Sequence, residues 1–373
     1  MTVKVMPIFC TRPEAIKLAP VIKELERRPD EFELCIAVTA QHRQMLDQVL
    51  RLFDITPDHD LDIMRPEQTV FEVTSRVLLG LEPVLRREQP DVVLVQGDTT
   101  TVMAAALAAF YLKIPVAHVE AGLRSYDKFQ PFPEEINRRL VSHIGDWHFP
   151  PTEGARQNLL REGLPAERIV VTGNTVIDAL LATVRPDYRF DHPALSRLDF
   201  AGRRVVLATT HRRENWGGPL REVCHAIRAI VERHADVDVI YAVHLNPQVQ
   251  RVVRAELGDV PRVHLLEPLD YEPFVQLMSR CHLILTDSGG IQEEAPSLGK
   301  PVLVLRNVTE RPEGAQAGTL KIVGTDRDVI VREAGRLLTD PAEYRRMATA
   351  PNPYGDGQAS RRIADVLAQL RRP

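Results

Sequence analysis

Thr286-Asp287-Ser288-Gly289-Gly290-Ile291-Gln292-Glu293-Glu294-Ala295-Pro296-Ser297-Leu298-Gly299-Lys300-Pro301 is the stretch from which the fold can be read. It follows the apolar run Leu283-Ile284-Leu285, a buried strand by length and composition, and leads into a segment of helical composition. A strand that turns into a helix at Ser-Gly-Gly leaves backbone N–H groups without intrahelical partners, at the positive end of the helix dipole. Such a turn can receive an anion, and the paired glycines let a phosphate approach with no Cβ in its way. Glu294, about one turn in, is placed to accept hydrogen bonds from sugar hydroxyls. A plain strand–turn–helix junction with acids in its first turn would look the same. Ser-Gly-Gly alone does not choose between the two.

Outward from this junction the same pattern repeats. Predicted strands at Val205–Ala208, Val237–Tyr241, Val263–Leu265, His282–Thr286 and Pro301–Leu305 alternate with helices at Leu220–His234, Pro247–Glu256, Phe274–Ser279 and Gln292–Ser297. The first half reads likewise. Strands at Lys4–Phe9, Leu34–Thr39, Val92–Val95 and Pro115–Val119 are separated by helices at Pro13–Arg28, Gln44–Leu52, Val70–Glu88 and Thr101–Leu112. Alternation of this kind makes an α/β protein with parallel sheets covered on both faces. The polar, weakly periodic segment Arg185 to Arg204 places a domain junction, giving domains 1–185 and 186–357 and a last helix at Ala359–Leu370. The expected architecture is two doubly wound, Rossmann-like domains with ligands in a cleft between their strand ends.

The chain has 373 residues, 44% hydrophobic and 26% charged, enough for two domains with sizeable cores. A net charge of −4 without a sustained Lys/Arg block argues against a nucleic-acid partner. No apolar run approaches the ~20 residues needed to insert across a membrane. The start of the chain lacks the layout of a signal peptide, and a cytoplasmic location fits. Cys10, Cys35, Cys224 and Cys281 are far apart, so neither a disulfide framework nor a metal knuckle is expected.

Several polar clusters fall at predicted strand ends. Arg12 and Lys17 follow the first strand and could clamp a diphosphate, or could belong to an ordinary helix start with Pro13 at its first turn. Asp98 either caps the next helix or acts chemically. Glu120 leaves a buried strand directly, so it either pairs with a cation such as Arg124 or works in catalysis. His118 and Glu120 imitate half of a zinc-deaminase signature, but its P-C-x-x-C half is absent and no metal is expected. Glu134 begins a helix and stands at i,i+4 spacing from Arg138, which suits a structural role. In the second half, His211 and Arg212 follow a strand end, where their charge could meet phosphate. Carboxylates on one side and cations on the other suit a substrate with a proton to lose and an anionic leaving group.

These ordered segments resemble bacterial non-hydrolysing UDP-N-acetylglucosamine 2-epimerases. The likeness runs along Thr11–Lys17 (TRPEAIK), Gln41–Arg43 (QHR), Gly97–Thr100 (GDTT), His118–Arg124 (HVEAGLR), Pro133–Arg138 (PEEINR), Gly173–Asp178 (GNTVID), His211–Asn215 (HRREN), His244–Pro247 (HLNP), Thr286–Pro301, Thr309–Glu313 (TERPE) and Asn352–Gly357 (NPYGDG). The resemblance implies the two-domain GT-B architecture, with a C-terminal helix at 358–373 that packs back on the first domain. It implies interconversion of UDP-GlcNAc and UDP-ManNAc without NAD or metal, by anti elimination of UDP through 2-acetamidoglucal, supplying ManNAc for cell-surface polysaccharide. It assigns Asp98, Glu120 and Glu134 as acid/base candidates and His211 as a contact of the leaving diphosphate. UDP contacts carry over to Arg12, Lys17, Ser288, Gly289, Gly290, Glu294 and Arg311, with Phe274 near the uracil. Gln41, Gln44, Gln68, Arg212 and His244 match parts of a second, activating UDP-GlcNAc site, although Glu67 replaces a residue that is often basic there. Cys10 stands where such sequences usually carry Gly, placing a side chain near the ligand-facing turn. Relatives are commonly homodimers. A glycosyltransferase, a hydrolysing epimerase and a non-catalytic nucleotide-sugar sensor are the competing readings.

Overall fold

The structure, a computed structural model, describes residues 2–39, 43–63, 65 and 67–370, with only the backbone of 43 and 44. The chain forms two compact units, Met1–Ala182 with Tyr354–Pro373, and Thr183–Pro353. The first contains strands β1 (Val3–Phe9), β2 (Phe32–Leu34), β3 (Ala37–Val38), β4 (His59–Asp60), β5 (Val92–Gln96), β6 (Val116–Val119) and β7 (Trp147–Phe149). Their order is β4-β3-β1-β5-β6-β7, with β2 also on β1, and every pair is parallel. The second unit contains β8 (Arg204–Thr210), β9 (Val237–Val243), β10 (Val263–Leu266), β11 (Leu283–Thr286), β12 (Val302–Val304) and β13 (Leu320–Ile322), in the order β10-β9-β8-β11-β12-β13.

With β2 and β3 counted as one interrupted strand, both sheets follow the 3-2-1-4-5-6 order of Rossmann-like domains. The order reverses between β1 and β5 in one unit and between β8 and β11 in the other. Ligands of such sheets bind beyond the strand ends at that reversal. β5 and β9 are buried along their whole length, which is why they are apolar but for Gln96 at the end of β5 and Asp238 in β9.

Two expectations change. Leu34–Thr39 is not one strand. The Ile36 N–H donates to the Asp58 carboxylate at 2.7 Å and the Ile36 carbonyl accepts from Asp58 and His59, which takes this residue out of the β1 ladder. The helix expected at Gln292–Ser297 instead starts at Gly289 and ends at Glu294, followed by a tighter 3₁₀ turn over Ala295–Leu298. Pro296 supplies no N–H to continue an α-helix.

Two glycines matter to the site frame. Gly97 turns the chain out of β5 at φ +80°, and Gly122 lets the segment after β6 run against helix Glu153–Arg161. A Cβ on Gly122, which has φ +86°, would lie 2.3 Å from the Ala155 carbonyl oxygen. Gly122→Ala is therefore expected to cost about 2 kcal/mol or more. A denaturation midpoint equal to that of the parent chain would contradict this packing.

Candidate active site

In the first unit the carboxyl ends of β1, β5 and β6 bring the acids together. Glu14, buried, accepts the Cys10 and Thr11 N–H groups at 2.7 and 2.9 Å and the Thr99 hydroxyl at 2.6 Å, tying the end of β1 to that of β5. Arg12 opens helix Arg12–Glu26 and is half-buried. Cys10 is the first residue past β1. Its side chain is fully buried with Sγ 3.9 Å from Thr99 Oγ1, and burial pushes the thiol well above its ordinary range.

Glu120 is the first residue after β6 and holds a left-handed backbone at φ +63°, uncommon for any residue but glycine. Its buried carboxylate accepts from Lys17 Nζ at 2.6 and 2.7 Å, from Asn174 Nδ2 at 3.0 Å and from the Gln96 amide. The cation on Glu120 is thus Lys17, the residue expected on a diphosphate. Arg124 is engaged elsewhere, forked onto Glu162 at 2.7 Å from both nitrogens and bonded to the Ser142 hydroxyl.

Asp98 does not cap the next helix. Thr99 does, accepting the Val102 N–H, which leaves the Asp98 carboxylate to pair with Arg138 at 3.0 Å. Burial pushes Asp98 up to about 6, against the pull of Arg138 and Lys17 and with Glu120 and Glu134 adding to the rise. Glu134 begins helix Glu134–Ile144, half-buried. The i,i+4 pair expected with Arg138 gives way to a different bond: Arg138 Nε reaches the Glu134 carbonyl at 3.3 Å while its guanidinium serves Asp98. The structural acid here is the neighbouring Glu135, fully buried and accepting the Ser125 and Tyr126 N–H groups and Arg139. His118 is buried 2.7 Å from the Gly97 carbonyl, and burial lowers it to about 4, so the ring is a neutral strut below Asp98.

In the second unit the reversal lies between β8 and β11. His211 and Arg212 follow β8, and Asp287 and Ser288 follow β11. Ser288 occupies the cap position of the short helix Gly289–Glu294. A Cβ on Gly289 would meet Arg311 Nη2 at 3.8 Å and Arg212 Nη2 at 3.9 Å, so two guanidinium groups flank the glycine. Arg311 is fixed by Glu293, whose helix is held in turn by Asn352 donating to the Glu293 carbonyl at 2.8 Å and Ser297 Oγ at 2.6 Å. A Cβ on Gly290 would stand 3.6 Å from Glu294 Oε1, which puts that carboxylate above the turn. Phe274 is half-buried on helix Tyr271–Arg280.

Of the residues expected at an activating site, Arg212 lies beside Gly289 with the nucleotide candidates. His244 is exposed after β9, its Nδ1 accepting the Asn246 N–H. The Gln68 amide is occupied within its own loop, by the Arg65 N–H at 2.9 Å and the Ile63 carbonyl at 3.1 Å. Gln41 lies outside the described residues, as does the side chain of Gln44.

Among the described residues one group has metal-ligand spacing, Cys35, His59 and Glu88. Glu88 is already paired with two side-chain cations, Lys4 at 3.1 Å and Arg87 at 3.0 Å. No helix among the described residues is long and apolar enough to cross a membrane.

The residues missed in the sequence are Glu14, Gln96, Asn174 and Asp287. Asp287 had a usable signal: Ser288 fills the cap position, so an acid one residue earlier needs another role.

A family model described as UDP-N-acetylglucosamine 2-epimerase matches residues 23–368. The Bacillus subtilis UDP-N-acetylglucosamine 2-epimerase is 55% identical over 364 residues, covering 98% of this chain and 94% of that one. The solved structure of UDP-GlcNAc 2-epimerase from Neisseria meningitidis bound to UDP-GlcNAc is similar with a TM-score of 0.86 at 47% identity, covering 98% and 100% of the two chains. A kitacinnamycin glycotransferase, at 12% identity and a TM-score of 0.68 over 99% of both chains, shares the two-domain GT-B fold alone.

Proposed function

This chain belongs to the UDP-N-acetylglucosamine 2-epimerase family, and from that membership we propose how its residues interconvert UDP-GlcNAc and UDP-ManNAc. A carboxylate of the first unit takes the C2 proton as the C1–oxygen bond breaks and its electron pair leaves with UDP, giving 2-acetamidoglucal. A carboxylic acid then returns a proton to the opposite face of C2, and the UDP oxygen re-forms the bond to C1. Hydrogen leaves and returns as a proton, so the cycle is balanced without an added oxidant.

The observation that carries this reading is the unequal state of neighbouring acids. Burial pushes Asp98 up to about 6, where it can give or take a proton, beside Glu120, whose buried carboxylate accepts from Lys17, Gln96 and Asn174. A weakly acidic C2–H needs a base already in position and partly stripped of water. Glu134 completes the set. In the second unit, Gly289 and Gly290 are proposed to offer backbone N–H groups and Ser288 its hydroxyl, the Ser288 N–H being taken by Thr286 Oγ1 at 3.0 Å, with His211 and the guanidinium groups of Arg212 and Arg311 meeting the charge that builds on the leaving diphosphate. Glu294 is proposed on the ribose, Phe274 on the uracil, and Arg12 and Lys17 as further diphosphate contacts. For Lys17, that contact means giving up its bond to Glu120, which frees a base.

We also propose a homodimer in the cytoplasm, its product feeding cell-surface polysaccharide. Helices Val70–Glu88, Thr100–Tyr111 and Glu134–Ile144 pack in sequence and expose Leu79, Phe110, Tyr111, Ile136 and Leu140, an apolar face for a second copy.

The direct test is incubation with UDP-GlcNAc alone in deuterium oxide, followed by NMR. Epimerisation gives UDP-ManNAc with deuterium at C2. Free ManNAc would point to hydrolysis, and an unchanged sugar to a need for an acceptor. Glu120→Gln and Asp98→Asn are each expected to lower turnover by at least ~10²-fold with UDP still bound.

The pH dependence of kcat/KM should carry a limb near 6 that Asp98→Asn removes. Loss of rate below that pH marks the carboxylate as the base, and loss above it marks the protonated form as the acid. A profile that Asp98→Asn leaves unaltered removes Asp98 from proton transfer. For assembly, light scattering should give twice the chain mass, and Leu140→Glu should return the monomer; a monomeric parent chain refutes the dimer.

A further inference from the structure

Asp287 has no part in the reaction as proposed, yet it is heavily engaged. Its side chain is fully buried. It accepts the His211 N–H at 3.0 and 3.1 Å, the Arg212 N–H at 3.0 Å and Asn215 Nδ2 at 2.9 Å. Asn215, also buried, donates a second bond to the Leu305 carbonyl just past β12. One carboxylate therefore joins the segments that follow β8, β11 and β12, three adjacent strands of the sheet.

These backbone bonds would suffice for a purely structural acid. There is one more. His211 Nδ1 lies 2.9 Å from Asp287 Oδ1, on a side chain that is 42% exposed. Burial alone would raise the Asp287 carboxyl, but the His211 ring and the two backbone N–H groups hold it below the usual carboxylate range. An anionic acceptor at that position keeps a proton on Nδ1, because a bare ring nitrogen there would face a bare oxygen. The open ring atom is then Nε2.

We infer that Asp287 is a positioning residue for His211, holding Nδ1–H on its carboxylate so that Nε2 is turned to the leaving diphosphate. This rests on the reading of His211 as a diphosphate contact. With the diphosphate bound, the imidazolium donates from both nitrogens, Nδ1–H to Asp287 and Nε2–H to a phosphate oxygen, and the Asp287 charge balances the ring. Fixing the ring beforehand also spares the rotamer ordering that would otherwise accompany ligand binding.

The experiment is a double-mutant cycle read as turnover. Asp287→Asn keeps an oxygen for the backbone N–H groups but loses the charge, and is expected to lower kcat at least ~10-fold. In a His211→Ala background the same Asn substitution should change kcat by less than ~2-fold, because the group it positions is gone. Equal losses in both backgrounds would show that Asp287 acts on the loop and not through the ring, overturning the inference while leaving the reaction intact. A neutral His211→Ala would overturn the His211 assignment and the inference with it. Should Asp287→Asn not fold, nitrogen-15 NMR of the parent protein decides: a proton on Nδ1 of His211 supports the inference, and an unprotonated Nδ1 overturns it.

Discussion

A carboxylate removed from water must be answered by donors, and much of the first unit is arranged to answer Glu120. Lys17 comes from the helix after β1, Gln96 is the last residue of β5, and Glu120 itself leaves β6. Asn174 arrives from the loop before helix Thr175–Thr183, with its N–H held at 2.7 Å by the Tyr354 carbonyl. The returning C-terminal segment therefore supports a group that touches the acid. The following helix is fastened by Asp178, which accepts the Ala359 and Ser360 N–H groups. A left-handed backbone at Glu120 is tolerable because Lys17, Gln96 and Asn174 over-determine where its side chain must lie.

The second unit solves the same problem with Asp287. In both units a buried acid just past a strand end gathers groups from neighbouring strands and the segments that follow them. The two differ in what answers the acid. Around Glu120 it is side chains, which leaves a charge that a ligand can redistribute. Around Asp287 two of the four donors are backbone N–H groups, which makes a floor under His211, Arg212 and the Ser288 turn. Such a division suits a reaction in which protons move in one place and a diphosphate is held in another.

The parallel α/β architecture was legible because buried parallel strands are unbroken apolar runs and their helices are amphipathic. Short strands such as β4 and β13 were not, since two or three residues carry no period. The positions of Asp98, Glu120, Glu134 and His211 at strand or helix ends were legible too. Their partners were less so. Spacing suggested Arg124 for Glu120, a cap for Asp98 and Glu134 for Arg138, and the folded chain uses Lys17, Arg138 and Asp98 instead.

The class of fold was readable from local periodicity, and the ordered polar motifs carried the resemblance to the family. Which acid meets which cation was decided only by tertiary structure. Lys17 and Glu120 are 103 residues apart, and His211 and Asp287 are 76 apart. Helix caps and i,i+4 pairs reach a few residues at most, whereas a buried charge takes the nearest donor in space, and the sheet order determines which donor that is.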